Sequence, residues 1–97
     1  MEISLSRDAQ ADLQEATDWY VDALAFAAAE AFADELGRAW VRIADFPALG
    51  TPGKQGTRLL TLNTFPYSLV YRIEPDRVRV IAVAHHSRRP GFWAGRR

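Results

Sequence analysis

Histidine and arginine near the C-terminus are the only residues whose types and spacing suggest reaction chemistry. His85, His86, Arg88 and Arg89 fall close together, and Arg58, Arg72 and Arg79 lie on the segments leading to them. Guanidinium groups can clamp a phosphate through forked hydrogen bonds and stabilise charge in a cleavage transition state. A histidine can move a proton near neutral pH. RNA cleavage by attack of a 2′-hydroxyl needs those two roles and no metal. The cluster lacks an evident partner base, because Glu74 and Asp76 sit at a distant turn. The plainer reading is structural: His85 closes a sheet with a satisfied ring nitrogen, and Arg88 or Arg89 pairs with an acid of the first helix. A metal site is not expected. Adjacent histidines in a strand point to opposite faces, and there is no cysteine. The stretch GTPGKQG lacks the spacing and the preceding strand of a phosphate loop. No cofactor is implied.

The elements that must carry these residues follow from periodicity. Residues 2–6 alternate polar and apolar and read as a short strand. Ser6 or Asp8 caps a helix whose apolar positions (Ala9, Leu13, Ala16, Trp19 or Tyr20, Ala23 or Leu24) recur three or four apart. A second helix runs from about Phe26 to Phe46, ended by Pro47, with Gly37 in its middle. The short link between them predicts an antiparallel hairpin. A Pro- and Gly-rich loop spans 47–56, and strands follow at about 57–62, 67–73 and 77–85. The expected architecture is a single α+β domain over 1–97. Its helix hairpin packs on one face of a mainly antiparallel four-stranded sheet, in the order β-α-α-β-β-β.

Strict alternation divides the last strand. It places Val78, Val80, Ala82 and Ala84 on one face, and Arg79, Ile81, Val83 and His85 on the other. In the preceding strand, Tyr67, Leu69, Tyr71 and Ile73 oppose Ser68, Val70 and Arg72. The second sheet face is then open and apolar, rimmed by arginine, which suits a protein partner. Val70, Arg72, Ile81, Val83, Arg88 and Arg89 are the expected partner-binding residues. Phe92 and Trp93 must pack somewhere, and docking on the first helix is the expectation.

Composition narrows the class. The net charge of zero hides a division: residues 1–49 hold ten acids and three bases, and residues 50–97 hold nine bases and two acids. Such a polarised molecule suits an acidic protein or a nucleic acid on its basic half, while its acidic half argues against general nucleic-acid binding. A chain of 97 residues buries about 60–68% of its surface, so its own stability is thin and a bound partner matters. No apolar run approaches the ~20 residues of a membrane span, and no leader is evident. A cytoplasmic location is expected.

The segments ADLQEATDWY, FPALG, Arg58 in a hairpin strand, FPYSLVYRI and VRVIAVAHHSRRPGFW occur in that order. Together they resemble the ParE/RelE superfamily of toxins from bacterial type II toxin–antitoxin pairs. The ending is most similar to the ParE-like branch, often labelled plasmid stabilisation proteins. The resemblance implies an antitoxin encoded next door, which wraps the toxin, and allows a larger toxin–antitoxin assembly. It implies growth inhibition, most simply by binding DNA gyrase without enzymatic chemistry. The alternative within the superfamily is a RelE-like endoribonuclease acting on messenger RNA in the ribosome, with Arg58, Arg79 and His85 as catalytic residues. This chain has no tyrosine after His85, and Lys54 is its only lysine, both departures from that branch. A degenerate protein that binds antitoxin and poisons nothing is the third possibility.

Overall fold

The computed structural model describes the whole chain, Met1–Arg97. The elements are β1 (Ile3–Leu5), α1 (Arg7–Asp22), α2 (Phe26–Asp45), β2 (Thr51–Pro52), β3 (Thr57–Thr61), β4 (Tyr67–Ile73) and β5 (Val78–His85). They form one five-stranded sheet in the order β1-β5-β4-β3-β2. The expected fold class holds, with one strand more than the four anticipated. The addition is the two-residue β2, which pairs with β3 inside the stretch read as loop. β1 runs parallel to β5 and the other pairings are antiparallel.

Local chemistry explains the helix boundaries. Ser6 caps α1, its hydroxyl accepting from the Ala9 amide at 3.0 Å. Just past the end of α1, Leu24 has a φ of 56°, the left-handed conformation that turns a chain out of a helix. Phe32, Ala39 and Ile43 of α2 and Ala9, Ala16 and Tyr20 of α1 recur at helical spacing and bury against Leu69, Tyr71, Val78 and Val80 of the sheet. Tyr71 also ties the loop after α2 to the sheet. Its hydroxyl donates to the Pro47 carbonyl at 2.6 Å and accepts from the Gly50 amide at 2.8 Å. A Cβ on Gly50 would stand 2.6 Å from that hydroxyl, so the close approach requires glycine.

The last strand departs from strict alternation. Val70 pairs with Ala82 while the next residue, Tyr71, pairs with Val80, so Ile81 is an extra residue bulged out of β5. The bulge inverts the side-chain order beyond it. Val83 joins the helix-side core and His85 packs against helix-side Tyr67, whereas Ala82 and Ala84 turn to the opposite face with Ile81. The assignment of Ala82 and Ala84 to the helix side, and of Val83 and His85 to the other, is corrected by this one residue.

Candidate functional site

The second face of the sheet is not open. After β5 the chain returns across it in successive turns, and Phe92 and Trp93 pack on Val70, Ile81, Ala82 and Ala84. Val70 and Ile81 are 0% exposed beneath this tail. Val83, expected beside them, is buried on the helix side instead. The docking of Phe92 or Trp93 on the first helix is likewise replaced by docking on the sheet. The physical reason is area. Bare Val70, Ile81, Ala82 and Ala84 and two free aromatic rings would all face water, and one return of the chain buries both sets.

Polar ties fix the tail. Arg72 donates to the Arg96 carbonyl at 2.7 Å and to the Gln55 carbonyl at 3.0 Å. The Arg96 guanidinium reaches past the edge of β5, pairing with Asp12 of α1 at 2.6 Å and donating to the Ile81 carbonyl at 3.1 Å. Asp12 also accepts from the Val83 amide at 3.1 Å. β1 ends opposite Val80, so the edge of β5 beyond it has no neighbouring strand. Asp12 and Arg96 satisfy the donor and acceptor left there. An arginine–acid pair to the first helix was anticipated, but the arginine is Arg96 rather than Arg88 or Arg89. The Arg88 guanidinium lies over the Phe92 ring, 4.0 Å from its centroid, and Arg89 is exposed.

The three residues considered for catalysis occupy three places. Arg58 shares the helix-side face with Tyr71 and donates to the Ala48 and Gly50 carbonyls at 3.1 and 2.9 Å. Arg79 lies across from Arg72 on the tail side and donates to Ser4 Oγ and the Leu5 carbonyl of β1. His85 sits at the far end of β5 on the helix side, its ring 4.9 Å from Tyr67 in an edge-to-face contact. Its Nδ1 accepts from the Ser87 amide at 3.0 Å, which leaves the proton of the neutral ring on Nε2. His86 points the other way and meets the Ser68 hydroxyl at 3.0 Å.

A cavity of about 460 Å³ opens beside His85, between α1 and the end of β5. Its walls include Glu15, Trp19, Tyr20, Tyr67 and Val83. Burial raises the Tyr20 phenol above its ordinary value, and burial, Tyr20 and Glu15 together raise that of Tyr67. Helical spacing marks Tyr20 as packing and leaves Glu15 and Tyr67 without a signal, because only the bulge after Val80 brings His85 round to them. Glu35 was also missed. This buried acid of α2 accepts from the Asn63 and Thr64 amides and holds the β3–β4 turn. No three His, Cys, Asp or Glu side chains gather as a metal site.

Fold and sequence together define a toxin of the ParE type. The family described as ParE toxin of type II toxin-antitoxin system, parDE, matches residues 3–90, and the chain belongs to that family. Among solved structures, the chain is similar to one titled "Chromosomal ParDE TA system from P. aeruginosa". The two are 22% identical with a TM-score of 0.76, and the alignment covers 88% of this chain and 95% of the other. No match was found among curated proteins. No helix is long and apolar enough to cross a membrane.

Proposed function

We propose that this protein inhibits bacterial growth by binding DNA gyrase in the cytoplasm, and that a cognate antitoxin encoded beside it holds it inactive in a tight complex, alone or in a larger assembly. Membership of the ParE toxin family over residues 3–90 is the observation that carries this reading. The separation of Arg58, Arg79 and His85 supports a binding mechanism over ribonuclease chemistry. Two of the three are engaged with backbone carbonyls, and strand register sets Arg58 and Arg79 beside Tyr71 and Arg72, at the opposite end of β4 from the Tyr67 that pairs with His85. Arg88 and Arg89 remain exposed for a partner. A partner that uses Val70 or Ile81 must first displace Phe92 and Trp93.

Induced expression without the antitoxin tests the reading. Growth arrest with gyrase-linked DNA breaks and intact messenger RNA is the expected result. Transcripts cut at codon boundaries on stalled ribosomes would transfer the activity to the ribonuclease alternative. Normal growth at full expression would leave only an antitoxin-binding protein.

A further inference from the structure

The cavity beside His85 holds two polar groups that nothing in the chain satisfies. Tyr20 and Tyr67 are 9% and 8% exposed, so more than nine-tenths of each is buried. Neither hydroxyl makes a hydrogen bond within the protein, whereas the third tyrosine, Tyr71, makes two. No side-chain polar atom is sealed from solvent without a partner, so both hydroxyls open onto the cavity that their residues line. Open to the cavity yet unpaired within the chain, these two hydroxyls are free to accept from a ligand that displaces the solvent there.

The charge around them selects the ligand. Glu15 lines the same cavity and has no salt-bridge partner, while Asp12 is already paired with Arg96. Glu15 continues into a shallow groove along α1 that carries Asp18 and Asp22 at helical spacing. Two basic residues share the lining, Arg88, whose guanidinium stacks on Phe92, and His85, whose Nδ1 already accepts from the Ser87 amide. Trp19, which lines both the cavity and the groove, is 66% exposed although it is one of the largest apolar side chains. A carboxylate, two phenol oxygens and aromatic walls suit a guanidinium or ammonium.

We propose that this cavity receives an arginine or lysine side chain from a basic segment of a partner polypeptide, which lies along the acidic groove of α1. The site is separate from the tail-covered sheet face, and the inference does not depend on gyrase being the target.

The test titrates the full chain with the peptide acetyl-Gly-Gly-Arg-Gly-Gly-amide, followed by amide and indole NMR. Its citrulline counterpart, agmatine and inorganic phosphate serve as comparison probes. The arginine peptide should shift the Trp19 indole and the Val83 amide saturably, with the citrulline peptide at least tenfold weaker. Glu15→Gln, on an exposed helix position, should weaken the arginine peptide at least tenfold with unchanged thermal unfolding. Tyr67→Phe should weaken it several-fold. Equal binding of the citrulline peptide, or an unaltered Glu15→Gln variant, would overturn the proposal. So would phosphate producing the same shifts. Agmatine binding more tightly than the peptide would mean a free small cation, and a change of oligomeric state in Glu15→Gln would mean a second copy of this chain. Either result would also refute a partner's side chain as the occupant.

Discussion

The two faces of the sheet are closed by different means. On the helix side, thirteen buried residues form one cluster, and its Tyr20, Phe32 and Tyr67 meet one another and the partly buried Phe65 ring to ring at 5.0–5.6 Å. On the tail side the buried apolar residues are Val70, Ile81, Ala82 and Ala84, two of them alanines, under half-buried Phe92 and Trp93. Apolar area therefore secures the first face, while the second depends on the Arg72, Arg96 and Asp12 ties as much as on contact. Apolar burial stabilises in proportion to the area covered, whereas a partly exposed ion pair contributes little. The tail is thus the part of the fold from which local opening should start.

The largest effect should come from the helix side. Phe32 is 1% exposed and touches three other aromatic rings. Phe32→Ala should cost about 3–5 kcal/mol, close to the whole stability of a domain this small. Urea unfolding should place its midpoint far below the parent's, or find no folded baseline. A loss smaller than that of the tail variant below would reverse the ranking of the two faces.

Removing both tail rings should cost less. Phe92→Ala with Trp93→Ala uncovers Val70 and Ile81 but leaves the larger cluster intact. The expected loss is about 2–4 kcal/mol for the pair, below the value for two fully buried rings. Hydrogen exchange should show amides of the tail and of β4 and β5 losing protection before those of α2. Uniform loss across the molecule would mean that the two faces open as one unit.

How far the sequence reached follows the same division. Helix periodicity in Ala9, Ala16, Phe32, Ala39 and Ile43 identified the face that α1 and α2 bury, and the order of elements came with it. The tail has no period. Its residues cover the sheet in irregular turns, so Phe92 and Trp93 announced that they must pack without saying where. β5 misled for a different reason. Alternation is the only signal a strand offers, and one bulged residue at Ile81 exchanges every face after it. Arg58, Arg79 and His85 were visible as residue types, but their separation depends on register and on that bulge. Arg96, which locks the tail to α1, looked like one more terminal base.

The Arg96 tie offers a smaller and more selective perturbation. The side chains of Arg96 and Asp12 are 19% and 8% exposed, so the pair is largely shielded from solvent. Arg96→Met keeps much of the aliphatic stem, removes the charge and leaves Asp12 with only the Val83 amide. The expected cost is about 1–2 kcal/mol, more than for a surface pair because the carboxylate stays desolvated. A shielded pair is screened little, so the variant's loss should persist at high salt, and hydrogen exchange should show its tail amides losing protection before those of α2. Unchanged tail protection would mean that apolar contact alone holds the tail.

The smallest expected effect is a gain, on the face that looks best packed. Gly37 lies inside α2 beside a slot of about 230 Å³ lined by Leu5, Leu13, Leu36, Trp40, Leu69 and Val83. A Cβ at this position would meet nothing within 4 Å, and its backbone is not left-handed. Helix interiors favour alanine over glycine by about 0.5–1 kcal/mol through lost chain entropy, so Gly37→Ala should raise the unfolding free energy by that amount, and the midpoint with it. The tail's hydrogen-exchange protection should stay as it was, because the added methyl group sits on α2, across the sheet from the tail. A loss of stability would mean that the slot closes in solution and that α1 and α2 pack through Gly37. The helix face would then be sealed along its whole length, and the tail would be the only loosely held part of the molecule.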